Sequence, residues 1–262
     1  KGCMRAAKGN KIVAMDLTTA EVYVAAVLAK DENLMDVFRQ GGNFHSTIAK
    51  LVFNLPCEAE DVAEHYSTQR QAAKAVTFGI MYGAGANKIS QQVTADSGKN
   101  FSKGDAQEVI DDYFRQFHKL KKWIDHSSKY IMDNGFIYSQ YGRKRRLPNV
   151  RSDNQGIQSH EVRSGLNFLV QSVASDINLL GAIDTHNHIK SINKTKEMRI
   201  FALVHDSILA EVDEGYVDEY MEIVQKCIQK DRGIYIPGCP VGCDFDVGDD
   251  YSFGKFEKMY DI

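Results

Sequence analysis

The sequence lacks the features that define several large classes of protein. Its five cysteines (Cys3, Cys57, Cys227, Cys239 and Cys243) contain no C-x-x-C pair, so neither a disulfide framework nor a zinc knuckle is predicted. No stretch approaches the roughly 20 apolar residues that cross a bilayer, and no apolar segment of a secretion signal follows the basic start of the chain. With 262 residues, 43% of them hydrophobic and 26% charged, we predict a folded, soluble, cytoplasmic protein.

The chain also has little net charge, −3 at pH 7, but its charges are unevenly distributed. Residues 115–151 contain ten Lys and Arg against two Asp, whereas residues 205–262 contain fourteen Asp and Glu against five Lys and Arg. A basic stretch can follow a phosphate backbone, and a carboxylate-rich stretch can hold divalent metals. The two stretches together suggest metal-dependent chemistry on a nucleic acid, but charge alone favours the simpler interpretation that they are ordinary solvated helix faces.

The residue pattern predicts an α+β fold in one continuous body, with helices in the middle of the chain and strands towards both ends. Strands are predicted at residues 11–16, 136–138, 145–147, 198–204, 208–212 and 241–247. Helices are predicted at residues 20–29, 34–38, 45–53, 67–82, 86–95, 103–117, 120–133, 157–189 and 216–229.

Two acids are predicted at the ends of strands in one small sheet, although Asp16 and Asp206 lie 190 positions apart. Carboxylates that meet repel each other unless a cation lies between them. Two metals about 4 Å apart serve in-line phosphoryl displacement. An Asp at a strand end is more often a turn residue, so the pair alone leaves both interpretations open.

A stripe of two cations and two aromatic residues follows the helix predicted at residues 67–82. Arg70, Lys74, Phe78 and Tyr82 are spaced four apart and precede Gly83. Such residues share one helix face, with cations suited to a triphosphate and rings suited to sugar and base. An amphipathic core helix with a solvated basic end gives the same pattern.

A second stripe of polar residues has the same spacing on the helix predicted at residues 157–189. Its members are Arg163, Asn167 and Gln171. Amide side chains in a minor groove reach acceptors that every base pair presents, so the stripe suits duplex contact without sequence preference. A polar stripe on a surface helix is the commoner origin of this spacing, so both interpretations stay open. The predicted hairpin adds cations that suit phosphates, namely Arg143, Lys144, Arg145 and Arg146.

Four segments together resemble the motifs of family A DNA polymerases, the DNA polymerase I type, and are closest to bacteriophage replicative members. Residues 16–21 (DLTTAE) resemble motif A, residues 70–83 motif B, residues 204–206 (VHD) motif C, and residues 163–171 the helix at the primer terminus. The resemblance implies a right-hand polymerase fold without its thumb. Residues 1–55 and 136–262 would form the palm, and residues 56–135 the helical fingers.

The resemblance also implies roles for individual residues in adding deoxynucleotides to a primer 3′-hydroxyl. Asp16 and Asp206 would hold two Mg²⁺ ions, with the Leu17 carbonyl as a further ligand. Lys74 would be a catalytic residue that neutralises or protonates the leaving pyrophosphate. The implied nucleotide contacts are Arg70, Lys74 and His45 on the phosphates, Phe78 on the sugar, Tyr82 near the templating position, and Glu21 against a ribose 2′-hydroxyl. The implied contacts to the primer and template end are Arg163, Asn167, Gln171 and His205.

The chain departs from the family pattern in three ways. Ser207 replaces the acid that usually follows the motif C aspartate, and Tyr23 replaces an arginine of motif A. Only fifteen residues precede Asp16, so we expect a split or truncated enzyme whose thumb and exonuclease lie on a separate polypeptide. The expected setting is phage DNA replication in the cytoplasm of a bacterial host.

Two other functions compete with a DNA polymerase. A single-subunit RNA polymerase shares the two acids and the basic helix, but Glu21 under the sugar argues against it. A degenerate fragment that only binds DNA or a partner chain has no need to keep Asp16, Asp206, Arg70 and Lys74 together.

Overall fold

The structure, a computed structural model, describes residues 3–81 and 83–254 and divides into two compact units. The sheet unit comprises Lys1–Ala20 and Ala174–Ile262, and the helical unit comprises Glu21–Val173. The elements in chain order are β1 (Asn10–Thr18), α1 (Ala20–Ala29), α2 (Glu32–Arg39), α3 (Phe44–Phe53), α4 (Val62–His65), α5 (Ser67–Met81), α6 (Ala86–Ser97), α7 (Lys103–Gln116), α8 (His118–Asn134), β2 (Phe136–Tyr138), β3 (Lys144–Arg146), α9 (Gln155–Ser191), β4 (Met198–Val204), β5 (Ser207–Asp213), α10 (Val217–Ile228) and β6 (Gly242–Gly248).

The sheet unit is built on four antiparallel strands in the order β4-β5-β1-β6. β1 is central, and its apolar run from Ile12 to Met15 is at most 2% exposed, so both faces of the strand are covered. β4 is an edge strand with a bulge between Ile200 and Ala202, and it exposes Phe201 and Leu203. Exposed apolar groups on an edge strand are a surface at which further polypeptide can pair.

The helical unit packs α3, α5, α6 and α7 against one another. Asp31, 1% exposed, joins two further helices in this unit. One carboxylate oxygen accepts the Leu34 backbone N–H at the start of α2, and the other accepts the Leu120 N–H in the first turn of α8. A single buried side chain therefore satisfies donors of two helix N-termini, which have no intrahelical partners.

A smaller core in the helical unit joins α8, α9 and the β2–β3 hairpin. It contains Ile131, Ile137, Leu147, Val150 and Leu169. Gly165 of α9 lies against it so closely that an added Cβ would be 2.6 Å from Ile131 Cδ1 and 2.7 Å from Leu147 Cδ1. The absence of a side chain at residue 165 therefore lets α9 approach the hairpin.

Most predicted elements are confirmed, and two differences have clear physical origins. The four-residue helix α4 was not predicted, because so short a segment shows no helical periodicity. Contrary to the expectation from the sequence, one helix, α9, is long and apolar enough, by length and composition alone, to cross a bilayer. Of its most apolar window, 56% is buried inside the protein, as in a core helix.

Candidate active site

The two acids come together at one end of the antiparallel sheet. Asp16 of β1 is paired in register with Ser207, the first residue of β5. Asp206 directly precedes Ser207 in the two-residue turn that joins β4 to β5. Backbone pairing therefore places Asp206, in the turn before β5, one position from Ser207, the register partner of Asp16.

The turn that carries Asp206 has an unusual backbone at His205. The φ angle of His205 is 57°, in the left-handed region that non-glycine residues seldom adopt. Two-residue hairpin turns require such a positive φ to match the twist of their strands. The tight turn leaves both His205 and Asp206 exposed to solvent.

Ser207 and Asp244 flank Asp16 on the same face of the sheet. Both are register partners of Asp16, one on β5 and one on β6, and directly opposed residues share a face. The Ser207 hydroxyl donates a hydrogen bond to the Asp16 carboxylate. Asp244 was not predicted as a site residue, although the alternation of Asp244 and Asp246 on the last predicted strand was a signal.

The donor set at this end of the sheet fits Mg²⁺ held together with substrate. Mg²⁺ is usually bound by one or two carboxylates plus substrate phosphates and water, and Asp16 and Asp206 supply two carboxylates. Within residues 3–81 and 83–254, no group of three or more His, Cys, Asp and Glu side chains is placed to hold a metal. Leu17, the predicted carbonyl ligand, follows Asp16 in β1 and is 7% exposed.

Four predicted nucleotide-binding residues come together where α3 packs against α5. The His45 ring centroid lies 5.3 Å from that of Phe78. Burial, and then the positive charges of Lys74 and Arg70, lower the pKa of His45 to about 4. His45 is therefore neutral at pH 7 beside two cations, and we call His45, Arg70, Lys74 and Phe78 the α3–α5 cluster.

Neither cation of the α3–α5 cluster, Arg70 or Lys74, forms an ion pair with a carboxylate in the described part of the chain. Arg70 Nε and His45 Nδ1 are buried without a hydrogen-bond partner there. Buried donors and unpaired cations favour an anionic ligand.

A row of rings links α1 to the α3–α5 cluster inside the helical unit. Successive centroids of Tyr23, Phe38, Phe44, His45 and Phe78 are 5.3, 4.6, 5.5 and 5.3 Å apart. Tyr23, at the position of the expected arginine, is 1% exposed and is therefore a core residue. Glu21, the predicted steric gate, lies in the first turn of α1 and is half-buried.

The C-terminal end of α5 lies against α9. Tyr82 is outside the described residues, but Gly83 is described and has a φ of 66°. A Cβ at Gly83 would lie 2.2 Å from Arg163 Cδ and 2.3 Å from Arg163 Cγ. Glycine is therefore required both by the backbone conformation and by the Arg163 side chain that covers it.

The polar stripe of α9 follows the predicted spacing. Arg163 and Asn167 are half-buried and Gln171 is exposed. Asn167 Oδ1 is buried and has no hydrogen-bond partner within residues 3–81 and 83–254. An unpartnered amide on this face is consistent with the predicted contact to a nucleic acid.

The four cations of the β2–β3 hairpin are exposed, and neighbouring side chains contact Arg145 and Lys144. Arg145 Nη2 donates to Ser164 Oγ of α9 at 2.7 Å, beside the Phe168 ring. Lys144 Nζ lies 3.9 Å from the Phe136 ring centroid. The hairpin therefore presents positive charge held in place by neighbouring side chains. This is consistent with the predicted contact of the hairpin cations with DNA phosphates.

Comparison with known proteins shows the family to which the chain belongs. The family model for DNA polymerase family A matches residues 1–252. The DNA polymerase of Escherichia phage T5 is 48% identical over 99% of this chain, and the thermostable DNA polymerase I of Thermus aquaticus is 26% identical over 95% of it. These matches cover 33% and 28% of the relatives, so the chain spans about a third of their length.

A solved structure shows the same fold. The POL domain of Pol1 from M. smegmatis, in complex with DNA primer-template and dNTP, is similar with a TM-score of 0.81 at 25% identity, covering 96% of this chain and 42% of that chain. The predicted α+β polymerase fold is thereby confirmed. The chain belongs to DNA polymerase family A.

Proposed function

We propose that this chain is the catalytic palm and fingers module of a template-directed DNA polymerase. The primer 3′-oxygen forms a bond to the α-phosphorus of a deoxynucleoside triphosphate, and the bond to pyrophosphate breaks. The supporting observation is the placement of Asp16 and Asp206 at one end of the antiparallel sheet, although they lie 190 positions apart.

Asp16 and Asp206 would hold two Mg²⁺ ions, with the Leu17 carbonyl as a further ligand. Bound there, the ions would lower the pKa of the primer hydroxyl and neutralise the charge that develops on the phosphates. The Ser207 hydroxyl donates a hydrogen bond to the Asp16 carboxylate and brings no charge to the site. An acid at residue 207 would instead add a negative charge beside Asp16.

The α3–α5 cluster would hold the incoming nucleotide. Arg70 and Lys74 offer two cations that no protein carboxylate neutralises in the described residues. Lys74 would protonate the leaving pyrophosphate, and neutral His45 would contact the phosphates. The half-buried Phe78 ring would pack on the sugar, Glu21 would exclude a ribose 2′-hydroxyl, and Tyr82 would lie near the templating position.

The primer-template duplex would be held by the polar face of α9 and by the β2–β3 hairpin. Arg163, Asn167 and Gln171 would contact the minor groove, where the acceptors are common to all base pairs. Hairpin cations would contact phosphates, which gives affinity without sequence preference and a strong salt dependence. His205, at the exposed tip of the β4–β5 hairpin, would contact the primer terminus.

The biological setting is a further part of the proposal. A relative from phage T5 supports a role in phage DNA replication in the cytoplasm of a bacterial host. Three structural expectations stay predictions. Residues 1–55 and 136–262 would form the palm, residues 56–135 would form the fingers, and a separate polypeptide would carry the thumb and the exonuclease. Co-purification of this chain with such a polypeptide tests the third expectation.

A primer-extension assay with Mg²⁺ tests the proposed chemistry. Asp16→Asn and Asp206→Asn should each lower the rate of nucleotide incorporation by roughly 10³-fold or more, since a metal ligand contributes several kcal/mol to the transition state. Binding of primer-template should change little, because neither acid contacts DNA phosphates in the proposal. Ser207→Ala is the matched control on the same row of the sheet, and its effect should be small.

Substantial extension by either Asp variant would contradict the assignment of the metal ligands. Extension with ribonucleotides in preference to deoxynucleotides would instead favour an RNA polymerase. DNA binding by the parent without any incorporation would favour the non-catalytic fragment.

A further inference from the structure

We propose that Asn43 is a positioning residue that holds Arg70 for the triphosphate of the incoming nucleotide. The inference rests on the proposed function, and it adds a residue that lies outside the four motifs. Asn43 lies immediately before α3, and Arg70 lies on α5, so the contact joins the two helices that form the α3–α5 cluster.

The Asn43 side-chain oxygen serves two donors at once. Asn43 is the N-cap of α3, with an extended backbone (φ −82°, ψ 103°), and its Oδ1 accepts the Ser46 backbone N–H at 3.1 Å. The same Oδ1 lies 3.4 Å from Arg70 Nη2. An amide oxygen has two lone pairs, so it can accept both hydrogen bonds.

Arg70 has few other constraints in the described part of the chain. Its Nε is buried without a hydrogen-bond partner, and the guanidinium forms no ion pair there. A long side chain with several rotatable bonds loses entropy when a ligand fixes it, and a neighbour that fixes it beforehand reduces that loss. Asn43 therefore increases affinity for the triphosphate by ordering Arg70 before the ligand arrives.

The neutral amide suits this task better than a carboxylate would. An Asp at residue 43 would also cap α3 and reach Arg70, but its negative charge would oppose the triphosphate. Asn43 orients the guanidinium and leaves its charge available to the ligand. The same cap fixes the first turn of α3, which carries His45 into contact with Phe78.

Capping and positioning can be separated by substitution. Asn43→Ser keeps a good N-cap, but the serine hydroxyl lies one bond closer to the main chain and cannot span a distance that is already 3.4 Å. Asn43→Gly removes the side chain and, as glycine is also tolerated at N-caps, is the second test variant. Ser102→Gly is the matched control, because it removes a capping side chain from α7 in the same unit.

The experiment measures binding of dATP with Mg²⁺ to the full chain without DNA by isothermal titration calorimetry, together with the melting temperature. Asn43→Ser and Asn43→Gly should weaken dATP binding about five- to tenfold, as expected for the loss of one hydrogen bond of ordinary strength. Their melting temperatures should match that of Ser102→Gly or exceed it, whereas Ser102→Gly should bind dATP as the parent does. In primer extension, the KM for dATP should rise with kcat changed less than twofold.

A double-mutant cycle identifies the partner through which Asn43 acts. In an Arg70→Ala background, Asn43→Ser should have no further effect on dATP binding, because no guanidinium remains to be positioned. Full weakening in that background would overturn the inference. Parent-like binding by Asn43→Ser, with binding weakened by Arg70→Ala, would overturn it too while leaving the proposed nucleotide site intact. If Arg70→Ala itself binds dATP normally, the proposed nucleotide site fails, and the inference fails with it.

Discussion

The acid pair and the α3–α5 cluster are assembled in opposite ways. Asp16 and Asp206 are distant in sequence and meet only because β1 and β5 pair in one register. Arg70, Lys74 and Phe78 are four residues apart on one helix, so their shared face follows from local geometry alone. A slip of one residue between β1 and β5 would move Asp16 to the opposite face, whereas no such error can separate the residues of a helical stripe.

This difference determines what each sequence signal can predict. A helical stripe can be recognised from the sequence, but its function depends on which residues pack beside it. An acid pair is almost invisible in the sequence, but its formation in the fold is informative because chance seldom pairs two distant strands at two acids. The cluster should therefore respond to changes in helix packing, and the acid pair to changes in strand register.

Among the substitutions that test this comparison, we expect the largest loss of activity at Lys74. Lys74→Ala removes the proposed proton donor to pyrophosphate, and general acid catalysis contributes about 10²- to 10⁴-fold. Single-turnover incorporation should therefore slow by roughly 10³-fold, as for the metal ligands of the sheet unit. Arg70→Ala is the control on the same face, and its effect should fall mainly on the KM for dNTP. A Lys74→Ala variant that changes only KM would make Lys74 a phosphate contact and no catalytic acid.

The second prediction tests how much the two buried hydrogen bonds of Asp31 stabilise the helical unit. Asp31→Ala removes the acceptor of the Leu34 and Leu120 N–H groups and leaves both donors buried, which should lower the free energy of unfolding by about 3 kcal/mol. Asp61→Ala is the matched control, because Asp61 precedes α4 without a side-chain capping bond, and it should change stability by less than about 0.5 kcal/mol. Urea unfolding measures both. Equal losses for the two variants would show that the bonds of Asp31 are not a main source of stability.

Asp31 also shows where prediction from sequence ends. The helix at Ala20–Ala29 was predicted with its exact bounds from helix-forming residues, and the strands of the acid pair were predicted within one or two residues. The bond from Asp31 to Leu120 joins positions 89 apart, and no local pattern encodes it. Asp244 was missed although Asp244 and Asp246 alternate in the sequence, because only the pairing of β6 with β1 places Asp244 beside Asp16.

The third prediction concerns the sugar contact at Phe78. A tyrosine hydroxyl at this position would lie where a dideoxynucleotide lacks its 3′-hydroxyl, so the phenylalanine enzyme should discriminate against dideoxynucleotides. Phe78→Tyr should reduce this discrimination at least roughly tenfold, the value of one good hydrogen bond. Competition between ddATP and dATP in primer extension measures the ratio. Equal incorporation by the unaltered enzyme would contradict the placement of Phe78 on the sugar.

The smallest effect is expected from the ionisation of His45. Its pKa in the folded protein is about 4, below the usual 6.5, because of burial and the charges of Lys74 and Arg70. The unfolded chain therefore binds more protons between pH 6.5 and pH 4, and stability rises with pH in this window. The contribution is complete above pH 6.5 and is lost as the pH falls through 4. His45→Gln should accordingly lose less stability than the parent between pH 7 and pH 4.5.

An NMR titration of the His45 imidazole measures the same ionisation directly. The midpoint should lie near 4 in the parent, and it should rise in Lys74→Met, which keeps the bulk of the side chain and removes one of the charges that lower it. Between pH 6 and pH 8 the free protein then presents a neutral imidazole beside the cations Arg70 and Lys74. A parent midpoint between 6 and 7, unchanged in Lys74→Met, would mean that His45 is not buried beside the cations. The packing of α3 on α5 would then differ from the arrangement on which the α3–α5 cluster depends.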